Sequence, residues 1–367
     1  MIVTNNSGYM YDIKEIGMLP PPYGGVSVYL ERLIENLSNE GYAVGAYYTE
    51  TNDNLIKSSP LFDKWSWFET KYYPFKIFKY INQLRKYTIL HSHMGLESML
   101  YLWTLKVILK KKIVVTIHNS MVTNYYHSTN IINKIFLKLM LKSDVVWITV
   151  SDQARIQLLS LPIKLKNDIH VIPAYIPDMA DPAPLSPDMQ DYIDNHKKTI
   201  AFYGHSFMYN EGVDIYGFRT VIEVYKSLLS SGSDIGLIMC VADKSDIDAL
   251  TELHKYAKEM LVDDKIYWQI GAINNMKGIW ENVDVYFRPT STDGDSVAVR
   301  EALDAGAVVV ASDVAPRPDG VHTYKFADVN DAVYKIQMAL TIGKLQLSPN
   351  MEYYDKMKSL YMKLLRK

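Results

Sequence analysis

The sequence is short of cysteine: Cys240 is the only one among 367 residues. One thiol excludes a disulfide framework, and its place in the apolar run IGLIMCVAD is typical of a buried core thiol in a reducing compartment. Long hydrophobic runs are also missing, because runs such as VVWITV fall well short of the roughly 18 residues that a membrane span needs. The start MIVTNNSGYM has neither a basic region nor an apolar block, so no signal peptide is expected. We therefore expect a cytoplasmic protein.

Charges of opposite sign nearly balance, with a net charge of −2, but they are unevenly distributed along the chain. Residues 1–177 contain 19 Lys and Arg against 13 Asp and Glu, whereas residues 178–367 contain 20 against 28. A basic first half and an acidic second half indicate different partners for each. The slightly negative total makes nucleic acid a poor partner.

What the chain does have is a regular alternation of short Val/Ile-rich runs with amphipathic segments. The runs include TILHSHM (88–94), KIVVTIHN (112–119), VDVYFRPT (283–290) and AVVVASD (307–313). Strands of this kind, buried on both faces and separated by helices, are typical of a parallel sheet in an α/β fold.

The alternation is interrupted once, and this interruption divides the chain. Residues 178–197 contain three prolines, many acidic residues and no apolar period, which predicts an interdomain linker. An N-terminal α/β domain would then cover residues 1–177, and a second one of similar size would cover residues 198–345. Residues 346–367 are predicted to form a C-terminal basic amphipathic helix that packs on the core.

The stretch TDGDSVAVREALDAG (292–306) follows one of the predicted strands. A parallel sheet binds ligands at the carboxyl ends of its strands, so we expect this loop to be functional. Asp295 or Ser296 can cap a helix that Gly306 ends. The free N–H groups of its first turn, around Val297, form an anion site suited to a diphosphate.

Two acidic residues flank this helix start. Glu301 shares a helical stripe with small apolar residues, where a carboxylate needs a partner, and vicinal ribose hydroxyls offer two donors to its two oxygens. Asp293 lies before the helix, where it can reach the sugar beyond the phosphates. A metal site formed by Asp293 and Asp295 is the alternative, but it needs further oxygen ligands. His91 and His93 alternate onto one strand face, but two histidines without a third ligand make a poor metal site.

These motifs resemble the retaining glycosyltransferases of family 4. The C-terminal signature of that family is a Glu, seven residues, a second Glu, and then a helix and a hydrophobic strand. Asp293…Glu301-Ala-Leu-Asp-Ala-Gly-Ala-Val-Val-Val-Ala-Ser is similar to it. PPYGGVSVYLERLIENL, LHSHM, VVTIHNS, TVSD and VIPAYIP resemble the first helix, strand ends and passage into the linker of the same family. The version RPTSTDGDSVAVREAL…SDVAPRP looks like a subgroup found in bacterial surface-polysaccharide gene clusters.

The resemblance implies the GT-B fold, with two Rossmann-like parallel α/β domains facing across a cleft. It implies that Glu301 holds the donor's ribose and that Asp293, where the family usually has the longer Glu, contacts hydroxyls of the transferred sugar. Gly24 and Gly25 would bring backbone N–H groups close to the diphosphate, as only residues without a side chain can. His118 would lie near the sugar at its strand end, the alternative being a histidine satisfied within the fold. The implied donor is a nucleotide-diphosphate sugar, expected to be a UDP-sugar, with no cofactor or metal.

The sequence departs from the family at the residues that neutralise the diphosphate. The family normally supplies an Arg and a Lys, whereas YGHSFMYNEGVD (203–214) places His205 near the Arg position and Glu211 where the Lys is expected. A carboxylate facing a pyrophosphate would repel it, so we expect Arg288, at a strand end, to be the substitute cation. The departure also leaves open a non-catalytic GT-B-like subunit that binds a partner transferase or a glycan. A nucleotide-sugar epimerase is a further alternative.

The N-terminal domain is expected to bind the acceptor, a glycan or a lipid-pyrophosphate. Residues 64–86, KWSWFETKYYPFKIFKYINQLRK, contain six basic residues, one acidic residue and eight aromatics. Such a segment suits peripheral contact with an anionic membrane, and an ordinary helix with its aromatic side chains in the core is an equal alternative. The predicted function is retaining sugar transfer in bacterial surface polysaccharide biosynthesis, in the cytoplasm or at the inner face of the plasma membrane.

Overall fold

The computed structural model describes residues 11–20, 24–48, 62–64, 81–119, 121–179, 181–271, 276–344 and 349–366. The chain divides into two compact units. Unit 1 comprises Met1–Ile176 together with Met351–Lys367, and unit 2 comprises Pro177–Asn350.

Unit 1 is built on a parallel sheet of seven strands in the order β3-β2-β1-β4-β5-β6-β7. Its strands are β1 (Tyr11–Ile16), β2 (Val44–Tyr48), β3 (Phe62–Lys64), β4 (Tyr87–Ser92), β5 (Lys112–Ile117), β6 (Val145–Thr149) and β7 (Ile169–Val171). The helices between them are α1 (Gly25–Asn39), α2 (Ile81–Leu84), α3 (Met99–Leu109), α4 (Val122–Ser128), α5 (Ile131–Leu141) and α6 (Asp152–Leu159).

The strands of unit 1 form where β-branched and apolar residues follow one another. β4, β5 and β6 are buried almost throughout, as the runs in the sequence predicted. β1 was not predicted, because its sequence YDIKEI places two charged residues, Lys14 and Glu15, in the interior of the sheet. Buried charges need partners, so this strand already points to a polar cluster in unit 1.

Unit 2 contains a parallel sheet of six strands in the order β12-β11-β8-β13-β14-β15 and a separate antiparallel hairpin of β9 and β10. Its strands are β8 (Lys198–Gly204), β9 (Tyr209–Asn210), β10 (Val213–Asp214), β11 (Ile235–Val241), β12 (Ile266–Ile270), β13 (Val285–Arg288), β14 (Val308–Ser312) and β15 (His322–Tyr324). Its helices are α7 (Pro187–Asp194), α8 (Phe218–Ser230), α9 (Ile247–Glu259), α10 (Lys277–Trp280), α11 (Val297–Asp304) and α12 (Val329–Ile342).

Residues 178–197, predicted to be a linker, contain helix α7 and belong to unit 2. The side chain of Ser186 accepts a hydrogen bond from the N–H of Met189, whose own side chain is buried. Tyr192 donates to the carbonyl of Lys265 at 2.6 Å, which ties the helix to the sheet. The sequence did not predict this helix, because one buried methionine and one tyrosine are too few to produce a recognisable apolar period.

The C-terminal helix α13 (Glu352–Leu365) packs on unit 1, although it follows unit 2 in the chain. It is the amphipathic helix that the sequence predicted. Its buried side chains join the core formed with α1 and the sheet: Tyr354, Met357, Leu360 and Tyr361.

Within the described ranges, no helix is both long enough and apolar enough to cross a membrane. The segment 64–86, for which the sequence left membrane contact and a core-packed helix as equal alternatives, falls mostly on residues 65–80, outside the described residues.

Candidate functional site

The loop between β13 and α11 in unit 2 carries most of the predicted site residues. The strand ends at Arg288, and the side chain of Ser296 caps the helix by accepting a hydrogen bond from the N–H of Val299 at 3.4 Å. Gly306 follows the helix in the left-handed region, with a φ of +82°, and its N–H bonds to the carbonyl of Leu303. The predicted helix start and end are confirmed, and the first-turn N–H groups lie at the carboxyl edge of the sheet.

Asp293 lies at the centre of a buried charge cluster. Arg288 donates to it from Nε at 3.0 Å and from Nη2 at 3.1 Å, and Arg317 donates from Nη1 at 2.5 Å. Arg288 also donates to the hydroxyl of Tyr286 at 3.3 Å, and its guanidinium lies 5.7 Å from the ring centre of Tyr216. Two guanidinium groups share one carboxylate, so the cluster keeps a net positive charge.

Burial and ion pairing act in opposite directions on Asp293. Burial alone would raise the pKa of its carboxyl, but the guanidinium groups of Arg288 and Arg317 outweigh burial and hold the pKa below its usual value. The side chain of Asp293 is 8% exposed, that of Arg288 11% and that of Arg317 3%. Water therefore has little access to these ion pairs. The sequence predicted Asp293 as a sugar ligand and Arg288 as a diphosphate ligand. In the structure each is first of all a partner of the other.

Asp295 pairs with a different arginine. Its carboxylate accepts a hydrogen bond from Nε of Arg300 at 2.7 Å, and the helix cap is Ser296 rather than Asp295. Burial raises the pKa of Asp295, and Arg300 opposes this rise. The carboxylates of Asp293 and Asp295 are thus bonded to separate cations, which is not the convergence that a shared metal ion would need.

Glu301 lies in the second turn of α11 and is half-buried. Val297, Ala298 and Ala305, the small apolar residues of the predicted stripe, are half-buried as well. The carboxylate therefore belongs to the helix face that the sequence assigned to it.

The stretch that departs from the family folds into the hairpin of β9 and β10. Glu211 and Gly212 form its turn, with φ values of +51° and +82°, as a two-residue hairpin turn requires. Glu211 is exposed there. The resemblance places Glu211 opposite a phosphate, and in the structure this residue lies in the hairpin turn. His205 follows β8 and is half-buried, and its carbonyl accepts from the N–H of Asp243 at 2.6 Å.

Gly24 and Gly25 of unit 1 stand exposed at the start of α1. Gly24 has an extended backbone with a φ of −155°, which any residue can adopt. A Cβ added to it would meet only the Oγ of Ser27, at 4.0 Å. Neither conformation nor internal packing therefore requires a glycine at this position, and close approach by another molecule is a physical reason for one.

A second polar cluster lies where β1, β4 and β5 end in unit 1. The side chains of Glu15, His91 and His93 are fully buried. One carboxylate oxygen of Glu15 lies 2.9 Å from Nε2 of His93, and the other accepts a hydrogen bond from the hydroxyl of Tyr361 on α13 at 2.8 Å. Nδ1 of His93 lies 2.9 Å from Nε2 of His118, which is half-exposed. The predicted residue His118 is thus the outer end of a buried chain of hydrogen bonds.

This chain fixes the positions of the protons. An ionised Glu15 can only accept, so His93 donates to it from Nε2 and keeps a lone pair on Nδ1. His118 then donates to that lone pair from Nε2, which leaves Nδ1 of His118 as an acceptor. The hydroxyl proton of Tyr361 goes to Glu15, so His91 donates from Nδ1 to the oxygen of Tyr361 at 2.5 Å.

Burial keeps His93 and His118 neutral. It lowers the pKa of His93 to about 4 and, together with the neighbouring histidines, lowers the pKa of His118 well below its usual value. Burial would raise the pKa of Glu15, but His91 and His93 lower it by more, so the carboxyl is ionised. His118 therefore presents a neutral ring whose Nδ1 can accept a hydroxyl proton in a hydrogen bond.

These pKa shifts predict that the protein loses stability in mild acid. His93 and His118 stay neutral in the folded state, whereas their unfolded counterparts take up protons below about pH 6.5. The unfolded state binds more protons in this range, so the free energy of unfolding decreases from pH 6.5 towards about 4, by about 1.4 kcal/mol per pH unit for each proton. Urea denaturation at a series of pH values measures the slope.

His118→Gln should reduce this slope by about 1.4 kcal/mol per pH unit, which is the contribution of one proton. His170→Gln, at an exposed position, should leave the slope unchanged. Equal slopes for the wild type and His118→Gln would contradict the neutral assignment of His118.

Glu15, His91 and His93 are also close enough to hold a metal ion, since one ligand atom from each lies within 4.8 Å of the others. The sequence lacked a third ligand for the two histidines, and the structure supplies one from the unpredicted strand β1. Each of these ligand atoms already takes part in a hydrogen bond, with Tyr361 and His118 completing the set. The hydrogen bonds therefore account for the cluster without an ion.

Residues 23–177 match the family model of Glycosyltransferase Family 4. No curated protein matches the chain. Solved structures similar to it include a glycosyltransferase from Rickettsia africae ESF-5, with a TM-score of 0.72 and 16% identity over 98% of this chain and 99% of that one. Sucrose-phosphate synthase from Thermosynechococcus elongatus gives a TM-score of 0.70 and 16% identity over 97% and 99% of the two chains. Anabaena HepE in complex with UDP-glucose gives a TM-score of 0.69 and 10% identity over 97% and 99%.

The family match lies in unit 1, and the structural similarity covers nearly the whole chain. Identities this low establish the fold, and two parallel α/β units of this kind confirm the GT-B fold implied by the sequence. The N-terminal unit is thus similar to Glycosyltransferase Family 4 over residues 23–177, and the chain as a whole has the GT-B fold.

Proposed function

We propose that this protein is a glycosyltransferase that moves a sugar from a nucleotide-diphosphate donor, with UDP as the expected nucleotide, to a glycan or lipid-linked acceptor. The proposal includes retention at the anomeric carbon and a role in bacterial surface polysaccharide biosynthesis. The observation that carries it is the start of α11, where first-turn N–H groups and a net positive cluster adjoin the end of a parallel strand. The Anabaena protein of the same fold, which was solved with UDP-glucose, supports the choice of nucleotide.

Unit 2 supplies the donor site in this proposal. The N–H groups around Ser296 and Val297 bind the diphosphate, and Glu301 accepts hydrogen bonds from the ribose hydroxyls. Asp293 already accepts hydrogen bonds from Arg288, Arg317, Thr290 and the N–H of Gly294, so a hydroxyl of the transferred sugar would replace one of these donors, such as the hydroxyl of Thr290 at 3.3 Å. The same two arginines add positive charge near the loop without bonding the phosphates directly.

We further propose that the donor site works without a metal ion. The two loop carboxylates, Asp293 and Asp295, are each paired with arginine, and the helix terminus and arginines supply the positive potential that a cation would otherwise provide.

Unit 1 is proposed to bind the acceptor. Gly24, whose own N–H is donated to Oγ of Ser27 at 2.9 Å, and Gly25 have no side chains, so the donor's diphosphate can approach the backbone at the start of α1 closely. Nδ1 of His118 accepts a hydrogen bond from a sugar hydroxyl, and its neutral ring keeps a fixed orientation because His93 holds the other nitrogen.

In the transfer step, the bond between the anomeric carbon and the diphosphate oxygen breaks while the acceptor oxygen forms a new bond from the same face. The proton of the acceptor hydroxyl passes to the departing phosphate. The helix terminus and the positive cluster stabilise the charge that develops on that phosphate.

The test of this proposal is a product analysis by proton NMR with UDP-sugars and candidate acceptors. We expect transfer, with the anomeric configuration of the donor preserved in the product. A product of inverted configuration would overturn the retaining mechanism. Conversion of the donor without an acceptor into a different UDP-sugar would indicate an epimerase instead.

A non-catalytic subunit is the second candidate function, and Glu211 was the reason for considering it. Glu211 lies exposed in the hairpin turn of unit 2. Binding of nucleotide sugars without transfer or hydrolysis of any of them would favour this alternative.

A further inference from the structure

Helix α5 of unit 1 exposes an unusual amount of apolar surface. Ile131 is 69% exposed, Ile132 56%, Ile135 49% and Leu139 36%. Their spacing places them on one face of the helix, opposite Leu137, Met140 and Leu141, which are fully buried. The helix is therefore apolar on both faces, although only one of them is covered by the core.

The neighbouring helices extend this exposed surface. α3, α5 and α6 bury their inner sides in the same hydrophobic cluster; α3 packs directly against α5, and α6 packs against α4. α3 adds Val107 and Ile108, and α6 adds Ile156 and Leu159, with exposed fractions from 36% to 62%. Isolated apolar residues are normal at a protein surface, but a set of eight on three helices that cover one hydrophobic cluster indicates an interaction surface.

The charge of the same region is strongly positive. Residues 99–168, which contain the three helices, have ten Lys and Arg and three Asp, although the whole chain is slightly negative. On α5, Lys134 is half-buried, while Lys138 and Lys142 are exposed within or beside the apolar stripe. Long lysine side chains beside an apolar stripe can place their ammonium groups at the level of lipid phosphates while the stripe enters the headgroup region.

We propose that the outer surface of α3, α5 and α6 docks on a bilayer containing anionic phospholipids, with α5 lying in the plane of the interface. The apolar stripe supplies the burial, and the lysines supply the charge complementarity that selects an anionic surface over a neutral one. The proposal goes beyond sugar transfer, and it involves residues other than the segment 64–86 that the sequence singled out.

Flotation of the full chain with vesicles tests the proposal. We expect binding to vesicles of equal parts phosphatidylglycerol and phosphatidylcholine, no binding to phosphatidylcholine alone, and weaker binding as salt is added. Lys138→Glu/Lys142→Glu should weaken binding by at least about tenfold. Ile131→Ser/Ile135→Ser should weaken vesicle binding by a similar factor. This factor should be the same at high salt, because the variant loses buried apolar surface rather than charge.

Matched controls come from exposed positions of unit 2. Lys244→Glu/Lys258→Glu makes the same change in net charge, and Ile247→Ser removes an isoleucine that is 70% exposed on α9. Both should bind like the wild type, and circular dichroism should show all variants folded.

Three results would overturn the proposal. One is failure of the wild type to float with anionic vesicles. Another is loss of flotation only in Lys76→Glu/Lys79→Glu, in the segment 64–86. The third is absence of vesicle binding together with a dimer, seen by sedimentation equilibrium, that Ile131→Ser/Ile135→Ser dissociates. Donor binding is measured separately with nucleotides, so a failure here leaves the proposed function standing.

Discussion

Replacing Asp293 by alanine is expected to lower the free energy of unfolding by about 3–5 kcal/mol. The substitution removes the carboxylate that both Arg288 and Arg317 contact, and leaves two guanidinium groups that are 11% and 3% exposed. The cost comes mainly from stranding buried cations rather than from losing the hydrogen bonds themselves. Urea denaturation followed by tryptophan fluorescence measures the change.

Asp293→Asn separates charge from shape at this position, and Asp319→Ala is a control at another position. Asp293→Asn keeps an acceptor oxygen but removes the charge, so it should fall between the wild type and the alanine variant. Asp319→Ala, at an exposed position of the same unit, should change stability by no more than about 0.5 kcal/mol. If Asp293→Ala and Asp319→Ala had the same stability, the cluster would not have the structural role we assign to it.

Replacing Glu301 by alanine is expected to weaken the binding of UDP and of UDP-sugars roughly 100-fold. The proposed carboxylate accepts two hydrogen bonds from the ribose, and each charged hydrogen bond contributes about 1.5 kcal/mol or more. Because the contact is to the ribose, UDP and its sugars should be affected equally. Isothermal titration calorimetry measures the affinities.

A deoxy analogue makes this test specific. In the wild type, 2′-deoxy-UDP should bind more weakly than UDP, and in Glu301→Ala this difference should disappear, because the partner of the hydroxyl is gone. Glu252→Ala, which removes a glutamate that is 63% exposed on α9, should bind UDP like the wild type. If 2′-deoxy-UDP also bound more weakly than UDP to Glu301→Ala, a residue other than Glu301 would bind the ribose hydroxyl.

The sequence predicted the parallel sheets because their strands are nearly uniform in apolar character. The same criterion overlooked β1, since Lys14 and Glu15 interrupt it, and the burial of these two residues depends on partners that lie far away in the chain. Glu15 is hydrogen-bonded to His93, which lies 78 positions later in the sequence, and to Tyr361, which lies 346 positions later. No local pattern encodes such a contact.

The helix start at Ser296 was predictable, because capping residues and glycines act over a few positions. The pairing of Asp293 with Arg288 was not predicted, although both residues were named, because each was assigned separately to an absent ligand. The signal was available in their spacing: a cation at a strand end and an acid five residues later, in a tight loop, commonly meet. Arg317 could be placed only by the adjacency of β13 and β14.

Unit 1 takes its last helix from the far end of the chain, and this sets an order for its biosynthesis. A ribosome delivers the sheet of unit 1 long before it delivers Glu352–Leu365. During that interval, Glu15 lacks the hydroxyl of Tyr361, and the core that α1 forms with the sheet lacks the side chains that α13 contributes to it. The nascent first unit therefore remains a substrate for chaperones and proteases until the second has been translated, and a premature stop codon anywhere in between would leave it in that state.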